Sequence, residues 1–592
     1  MRMHAIISIV NDAVIGFRAC LTAADDQRLS DREARIGVLV FIALFFFAAL
    51  PALTSVSKHH SDERFYTDAA LQMLETGDYL TPRYADGRPR FHKPILSYWL
   101  IAGAYRLMGV GMLPSRLPFL MAGCLLIWVV WHLCRVIFGP GRGALTAAWI
   151  MGANIVTVEM SSRSTPDILL CLFLAVCLYG FARIIFRSQN DHFSYACAYF
   201  GAAAALETKG LLGLLPLGYV GLFCWLHRDT RSRFKALFHW PLILGALLAG
   251  TFWFGAMLAL HGQGALAGFL GDQVGDKLAA PGWMNLSHLA AYVLVPLRHF
   301  LPWSLLLMVI LGLGRRAVFR HVSKNSGQWL FVLGWFLLLV VVFSAGNLMR
   351  SRYLFPAYPL LACAAGAVWV TRLDGSGARR WTGRIMAWLV YGFGFGAGPV
   401  LIGAGLWLQP RLAFGGGLLL LVTIAVWRLA AEAPRRSPTV GLLALFLVVS
   451  SLVVEGIVKP AFVTSPAPAF AAEIDRLAVT PRRVAVLGLR SKYAAQLRLL
   501  ARDRIRVAAL KGAVGRLELA AYDAAVFPAA YLPHWRFPEF RPQICGSYYR
   551  KVTPADLWRA LKSGSREEIL SVGREDCFIV MLPSPPLPGG RS

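Results

Sequence analysis

The sequence predicts a mainly α, polytopic membrane protein of about thirteen transmembrane helices carrying a small C-terminal α/β soluble domain. Three observations predict it. Of 592 residues, 57% are hydrophobic and only 16% charged, with a mean hydropathy of +0.55; soluble domains run nearer ~45–50% apolar and ~25% charged. Apolar runs of about 18–22 residues recur from Ile36 to Val458, each long enough to cross ~30 Å of hydrocarbon. They are continuous runs, not the alternation of an outer-membrane barrel. After Lys459-Pro460 the pattern changes to short, polar-flanked helix and strand signals.

The spans fall at 36–54, 114–137, 142–160, 166–186, 193–207, 210–227, 238–260, 289–313, 328–346, 353–371, 385–407, 413–430 and 439–458. The formal net charge of +28 is spread over short loops, which points to a membrane rather than to nucleic acid. With the N-terminus inside, the cytoplasmic loops hold Arg135 and Arg142, Arg183 and Arg187, then Arg228, Arg231, Arg233 and Lys235. Arg315, Arg316, Arg320 and Lys324, then Arg372, Arg379, Arg380 and Arg384, and finally Arg428, Arg435 and Arg436 follow on that side. The opposite short loops hold only Arg163, Lys209, Lys277, Arg350, Arg352 and Arg411. By the positive-inside rule, residues 1–35, which lack a cleavable signal pattern, are expected to form a cytoplasmic tail with a short surface helix. Residues 36–460 form the membrane domain and 461–592 a periplasmic α/β domain.

The first outer loop, about 55–113, breaks the charge pattern with Lys58, Arg64, Arg83, Arg88, Arg90, Lys93 and Arg106, with Arg116 just beyond it. That excess points to an anionic ligand outside. Phe65 to Gly77 and Ile95 to Met108 read as amphipathic interfacial helices with aromatic faces toward lipid. The outer loop 261–288 has a glycine-rich start, Gly262 to Gly275, and reads as a lid or a plain loop. In the C-terminal part, helices are expected at 470–477 and 493–501, and strands at 483–488, 505–507, 522–527 and 577–581. Eight cysteines lie in the tail or in apolar spans, where they act as small hydrophobes. Cys545 and Cys577 fall in the polar domain and pair there if the compartment is oxidising and the distance allows. No internal repeat is evident, which counts against a transporter of duplicated halves.

The chemistry is expected in Ser57-Lys58-His59-His60-Ser61-Asp62-Glu63-Arg64-Phe65-Tyr66, just outside the first span. Asp62 and Glu63 stand at a membrane boundary, where a carboxylate facing a cavity can take a proton or hold a cation. The competing reading is helix capping by Ser61-Asp62, with Glu63 a first-turn dipole partner. Asp167, in Arg163-Ser164-Thr165-Pro166-Asp167, repeats the arrangement at the fourth span. Lys93, Lys209, Arg350 and Arg352 are outer cations suited to a lipid phosphate, against snorkelling to head groups. His59, His60, His92, His261, His288 and His299 lie toward the outer side, without tight pair spacing; His92 and His288 are the candidate ligands for a divalent metal such as zinc.

These residues resemble a family. Asp62-Glu63-Arg64-Phe65-Tyr66, Gly77-Asp78-Tyr79-Leu80-Thr81-Pro82-Arg83 and His92-Lys93-Pro94-Ile95-Leu96-Ser97-Tyr98-Trp99-Leu100 are similar, in that order, to the aminoarabinose transferases that modify lipid A. These belong to the protein O-mannosyltransferase-like group of GT-C membrane glycosyltransferases. Ser162-Arg163-Ser164-Thr165-Pro166-Asp167, Thr208-Lys209-Gly210, Leu301-Pro302-Trp303 and Arg352-Tyr353-Leu354-Phe355-Pro356 continue the likeness over about 36–370. Where the family carries Glu before Lys-Pro, this chain has His92.

The resemblance implies a GT-C fold and inverting transfer of a sugar from a polyprenyl-phosphate donor at the periplasmic face of the inner membrane. The acceptor is lipid A or another envelope glycan. Asp62 would be the catalytic carboxylate, with Asp167 beside it. Lys93 would bind the donor phosphate, and Glu63, Tyr66, Lys209, Arg350, Arg352 and Tyr353 would contact substrate. The protein is expected to act as a monomer, without nucleic acid. The rival readings are a protein O-mannosyltransferase-like enzyme with a protein acceptor, and a transporter or flippase of anionic lipids.

Overall fold

The computed structural model describes residues 15–18, 20–21, 29–271, 286–346, 349–372, 376–433, 438–502, 504–510, 512, 514–550, 554–563 and 565–583. Among them, ten helices are long and apolar enough to cross a membrane, or twelve if each of two bent pairs is one span. The first, Asp31–Thr54, begins five residues before its apolar run because Ser30 and Glu33 form a reciprocal capping box. The pair Arg142–Gly152 and Ile155–Ser161 bends by 57°. Asn154 makes that break: its side chain accepts from Val156 N–H and donates to the His299 carbonyl. The pair ending at His299 and beginning at Trp303 bends by 98°.

The expectation of thirteen spans divides the stretch His192–Leu226. Its 35 residues pass the length test as one element, yet the chain breaks inside it. Gly210 takes φ +76° and a 3₁₀ turn follows over Gly210–Leu214. A Cβ on Gly213 would lie 2.3 Å from the Leu206 amide nitrogen, which a straight helix forbids because seven residues rise ~10 Å. His192–Lys209 and Leu215–Leu226 are therefore separate helices joined by a tight reversal.

The first outer loop folds as helices Glu63–Thr76 and Leu96–Met108, each ended by a glycine with positive φ, Gly77 and Gly109. Three of their tyrosine rings turn inward. Tyr66, Tyr98 and Tyr105 are buried, while Leu107 and Met108 are exposed. The reason is Arg90: its guanidinium donates to the Tyr98 hydroxyl and lies over the rings of Phe65, Tyr66 and Tyr84. A buried cation needs such a π and hydroxyl shell, so the aromatics turn inward.

Part of the proposed lid is helical. Trp240–Leu270 runs through Gly262, which breaks the helix at φ +73°. His261 bonds Thr81 at 2.9 Å and packs on Phe91, so this end docks on the first outer loop. Residues 272–285, the rest of that lid reading, lie outside the described residues, as does most of the N-terminal tail.

The C-terminal domain carries one mixed sheet of β1 (Arg483–Val486), β2 (Arg506–Ala509), β3 (Ala524–Pro528), β4 (Gln543–Tyr549) and β5 (Arg574–Met581), ordered β2-β1-β3-β5-β4. β1 pairs parallel with β2 and β3, and β5 antiparallel with β3 and β4. β4 has no counterpart in the sequence reading: Gln543-Ile544-Cys545-Gly546-Ser547 lacks an apolar alternation because it is a half-exposed edge. Helix Ser491–Leu500 lies on the membrane side. Gln496 donates to the Val56 carbonyl, and Arg498 pairs with Asp68 at 3.0 Å, tying this domain to the first outer loop.

Candidate active site

The segment Ser55–Glu63 is held from several sides. Glu63 is fully buried and pairs with fully buried Arg116, Nε to Oε2 at 2.8 Å. Its other contacts are backbone amides, His60 N–H at 2.7 Å and Ser164 N–H at 3.1 Å. Arg116 in turn donates to the carbonyls of Ala52, Leu53 and Ser55, the open end of the first span. Burial raises the Glu63 carboxyl, but Arg116 outweighs it and leaves the pKa at about 2. Glu63 is thus a buried bracket that fastens the loop to the 162–167 turn. The expectation that it contacts substrate is corrected: its oxygens are saturated by protein groups.

Lys58 braces the same loop from the far end of the chain. It pairs with Glu455 at 3.2 Å and donates to Ser162 at 3.4 Å. His59 is buried with both ring nitrogens lacking partners among the described residues, and burial drives its pKa to about 4. His60 is also lowered by burial, and its Nδ1 accepts from Asp62 N–H.

Asp62 stands differently. It occupies the N-cap position of Glu63–Thr76 with αR backbone and makes no side-chain capping bond. Capping, the competing explanation, does not account for it. Its carboxylate, about one-third exposed, pairs with Arg352 at 2.9 Å and faces an open cleft of about 970 Å³. The cleft wall carries Arg163, Arg298, Arg350 and Arg352 against two acids, Asp62 and Glu159, with Leu294 and Val295 supplying an apolar side. Four cations over two anions suit a ligand that is anionic and partly lipidic.

Arg352 also lines a small enclosed pocket with Asp167, Lys209, Phe343, Tyr353 and Phe355. There Lys209 Nζ lies 2.6 Å from Asp167 and over the Tyr353 ring. Lys93 is among the cations whose field reaches Asp167. Glu207 fixes this end by accepting the Trp253 N–H at 2.9 Å. Asp62, Asp167, Lys209, Arg350, Arg352 and Tyr353 therefore converge, with Lys93 at the edge. Tyr66 does not reach the cleft lining; it is buried against Tyr98 at 5.2 Å.

The two metal candidates stand in different surroundings. His92 packs edge-on against Tyr84, and His288 Nδ1 bonds the Gly346 carbonyl. Among the described residues, no group of three or more His, Cys, Asp or Glu side chains is arranged to hold a metal ion. No chemical step is assigned to a metal ion.

Arg298 and Glu159 are absent from the sequence reading of the site. The signal was available: both lie inside stretches read as membrane spans, 289–313 and 142–160, where an ionisable residue marks function. Arg116 and Glu455 carry the same signal, and both turn out to be structural.

Residues 92–254 match the sequence family described as dolichyl-phosphate-mannose-protein mannosyltransferase. An uncharacterised protein of Aquifex aeolicus (strain VF5) is 27% identical over 302 residues, 51% of this chain and 57% of that one. The undecaprenyl phosphate-alpha-4-amino-4-deoxy-L-arabinose arabinosyl transferase of Edwardsiella ictaluri (strain 93-146) is 26% identical over 400 residues, covering 66% of this chain and 70% of its own length. The enzyme of the same name from Pectobacterium atrosepticum is 25% identical, covering 72% and 77%. In structure, ArnT from Cupriavidus metallidurans bound to undecaprenyl phosphate superposes with a TM-score of 0.66 over 93% of this chain and 98% of that one, at 18% identity. The chain shares that protein's fold.

Proposed function

We propose that this chain, a GT-C membrane glycosyltransferase related to the aminoarabinose transferases, moves a sugar from a polyprenyl-phosphate donor to lipid A or another envelope glycan at the periplasmic face of the inner membrane. One observation carries the reading. Asp62, with its capping duty absent, faces a large cleft while Arg352 joins it to the pocket of Asp167 and Lys209. A nucleophile site and a phosphate site thus share one arginine.

In this scheme the donor phosphate lies among Lys209, Arg352 and Lys93. Their charge stabilises the phosphate as it leaves the sugar's anomeric carbon. Asp167 holds Lys209 extended toward it. The acceptor enters the open cleft, and its hydroxyl gives its proton to Asp62 as its oxygen attacks the anomeric carbon from the face opposite the phosphate. The bond to the phosphate breaks, configuration inverts, and polyprenyl phosphate remains in the membrane. Arg350 and Arg298 receive the anionic groups of the acceptor. Arginine-rich loops on one side, against few on the other, support a cytoplasmic N-terminus and a periplasmic C-terminal domain.

The test is transfer in membranes from a labelled polyprenyl-phosphate sugar. Asp62→Asn is expected to abolish product while donor still binds. Transfer by Asp62→Asn at the wild-type rate removes Asp62 from the chemistry; failure of the wild-type protein to release polyprenyl phosphate from any donor removes the enzyme reading.

A further inference from the structure

Of the ten cysteines, Cys545 and Cys577 are the two in the C-terminal sheet. They sit on neighbouring strands. β4 pairs antiparallel with β5, and its register slips at a bulge: Ile544 opposes Phe578 while Gly546 opposes Cys577. Cys545 is the extra residue between them. At such a bulge, two residues of one strand face one of the other, so Cys545 and Gly546 share Cys577 as their partner. Gly546 has φ +149°, and a Cβ there would lie 3.0 Å from the Ala469 Cβ, so this place in the bulge takes a glycine. Both sulfurs belong to the same face of the sheet, since Cys577 lies in the hydrophobic core under Phe470, Ile474 and Tyr548 and Cys545 packs against that core. The neighbouring Cys545 thiol, together with burial, raises the Cys577 pKa.

Directly opposed residues of antiparallel strands have Cα atoms about 4.5–5.5 Å apart, inside the ~4.4–6.8 Å that a disulfide spans. Gly546 holds that opposed position, and the bulge sets Cys545 beside it, next to Cys577. The exposures of the two cysteines differ: Cys545 is half-buried at a sheet edge, Cys577 buried.

We propose that Cys545 and Cys577 form an intramolecular disulfide that locks edge strand β4 to β5 in the mature protein. The inference rests on the periplasmic placement of this domain given under Proposed function. The oxidant is the disulfide of a thiol-exchange protein. The Cys545 thiolate attacks one sulfur of that disulfide and expels its partner as a thiolate, leaving a mixed disulfide. The Cys577 thiolate then attacks the Cys545 sulfur and expels the second thiolate. Two cysteine thiols lose two protons and two electrons, and the exchange protein leaves as a dithiol. The order follows access, since only Cys545 reaches the surface.

The lock has a purpose legible in the sheet. β4 is an edge strand with exposed Ile544, and Tyr549, at its end, donates to Thr464 beside the last span. A covalent tie fixes that edge against strand exchange and holds the junction between sheet and membrane domain.

The experiment uses the full chain in its native membrane. Free thiols are capped with N-ethylmaleimide before lysis, and the protein is digested with trypsin without reductant. The expected product joins Phe537–Arg550 to Glu575–Arg591 through Cys545 and Cys577, and disappears on reduction and in the Cys577→Ser variant. A parallel arm carries Leu517→Cys, at a position 92% exposed on the same domain, and treats intact spheroplasts with a membrane-impermeant maleimide. Linked peptides support the proposal. Capped, unlinked peptides in a strain whose Leu517→Cys protein is labelled overturn the disulfide and leave the orientation standing. Unlinked peptides with no labelling of Leu517→Cys overturn the orientation, and the disulfide with it.

Discussion

Asp62 and Glu63 are adjacent carboxylates with opposite assignments, and exchanging each for its amide separates stability from chemistry. Glu63→Gln removes the carboxylate that pairs with Arg116, whose side chain is 0% exposed. The loss can be worked two ways. The Glu63 carboxyl lies at about 2 against an ordinary 4.5; at ~1.4 kcal/mol per unit this is about 3 kcal/mol. Independently, breaking a buried ion pair by removing one partner costs about 3–5 kcal/mol. Part is recovered because the amide oxygen still accepts one of the bonds from His60 and Ser164, and Arg116 keeps three carbonyls. A net loss of about 3 kcal/mol is expected, which at ~2.1 cal/mol/K per residue lowers the melting midpoint of a 592-residue chain by about 2 °C. Asp62→Asn, at a site about one-third exposed, is expected to leave the midpoint within about 1 °C, since partly exposed pairs contribute ~1 kcal/mol or less, while transfer is lost. The assay is thermal unfolding in detergent followed by size-exclusion fluorescence, with transfer measured on the same preparations. If Glu63→Gln melts with the wild type, or Asp62→Asn melts as early as Glu63→Gln, the division of labour argued from burial is wrong. The pH dependence gives a second check. A depressed carboxyl stabilises the fold fully above its unfolded value and loses that contribution as pH falls. Wild type should therefore lose stability between about pH 4.5 and 2, and Glu63→Gln should lack that component.

Three further outcomes follow from the same geometry. His59, held at about 4 by burial, binds a proton more readily unfolded than folded; stability should fall as pH drops from ~6.5 to ~4, and His59→Phe should flatten that interval in the same melting assay. Arg350 is exposed at the cleft, so Arg350→Ala should raise the acceptor KM about tenfold or more, the range of one charge-assisted bond, with an unchanged melt; an unchanged KM removes it from the acceptor site. The Arg498–Asp68 pair joins the C-terminal domain to the helix that follows Asp62. Either reversal alone, Arg498→Asp or Asp68→Arg, should cut kcat with little change in donor KM, and the double reversal should restore it. Failure of the double reversal to restore kcat would place the effect outside that contact.

Much of the fold was legible because hydropathy acts locally. A run such as Leu169–Ile185 must be a buried or membrane helix whatever surrounds it. The breaks were less legible. The reversal at Gly210–Leu214 shows in sequence only as a glycine pair within an apolar stretch, and the bend at Asn154 depends on a carbonyl 145 residues away. The inward turn of Tyr66 and Tyr98 was invisible for the same reason. Amphipathic spacing shows that a helix has two faces, not which face meets lipid, and here the buried Arg90 decides.

The site shows this limit most sharply. Asp62 and Glu63 share a boundary, a charge and a helix end, and nothing within ten residues ranks them. What ranks them is Arg116, 53 positions beyond Glu63, and Arg352, 290 positions beyond Asp62. The first arginine is sealed from water, so its partner is consumed as structure. The second stands where the cleft and the Asp167 pocket meet, so its partner stays within reach of a ligand. Burial of the guanidinium, rather than any property of the carboxylates, divides one acidic dipeptide into a bracket and the proposed base. The same rule separates Arg298, at the cleft, from Arg116, inside the wall, although both are arginines in stretches that hydropathy reads as membrane. In this fold an intramembrane cation therefore becomes a candidate for function only once its partner is known to have solvent beside it.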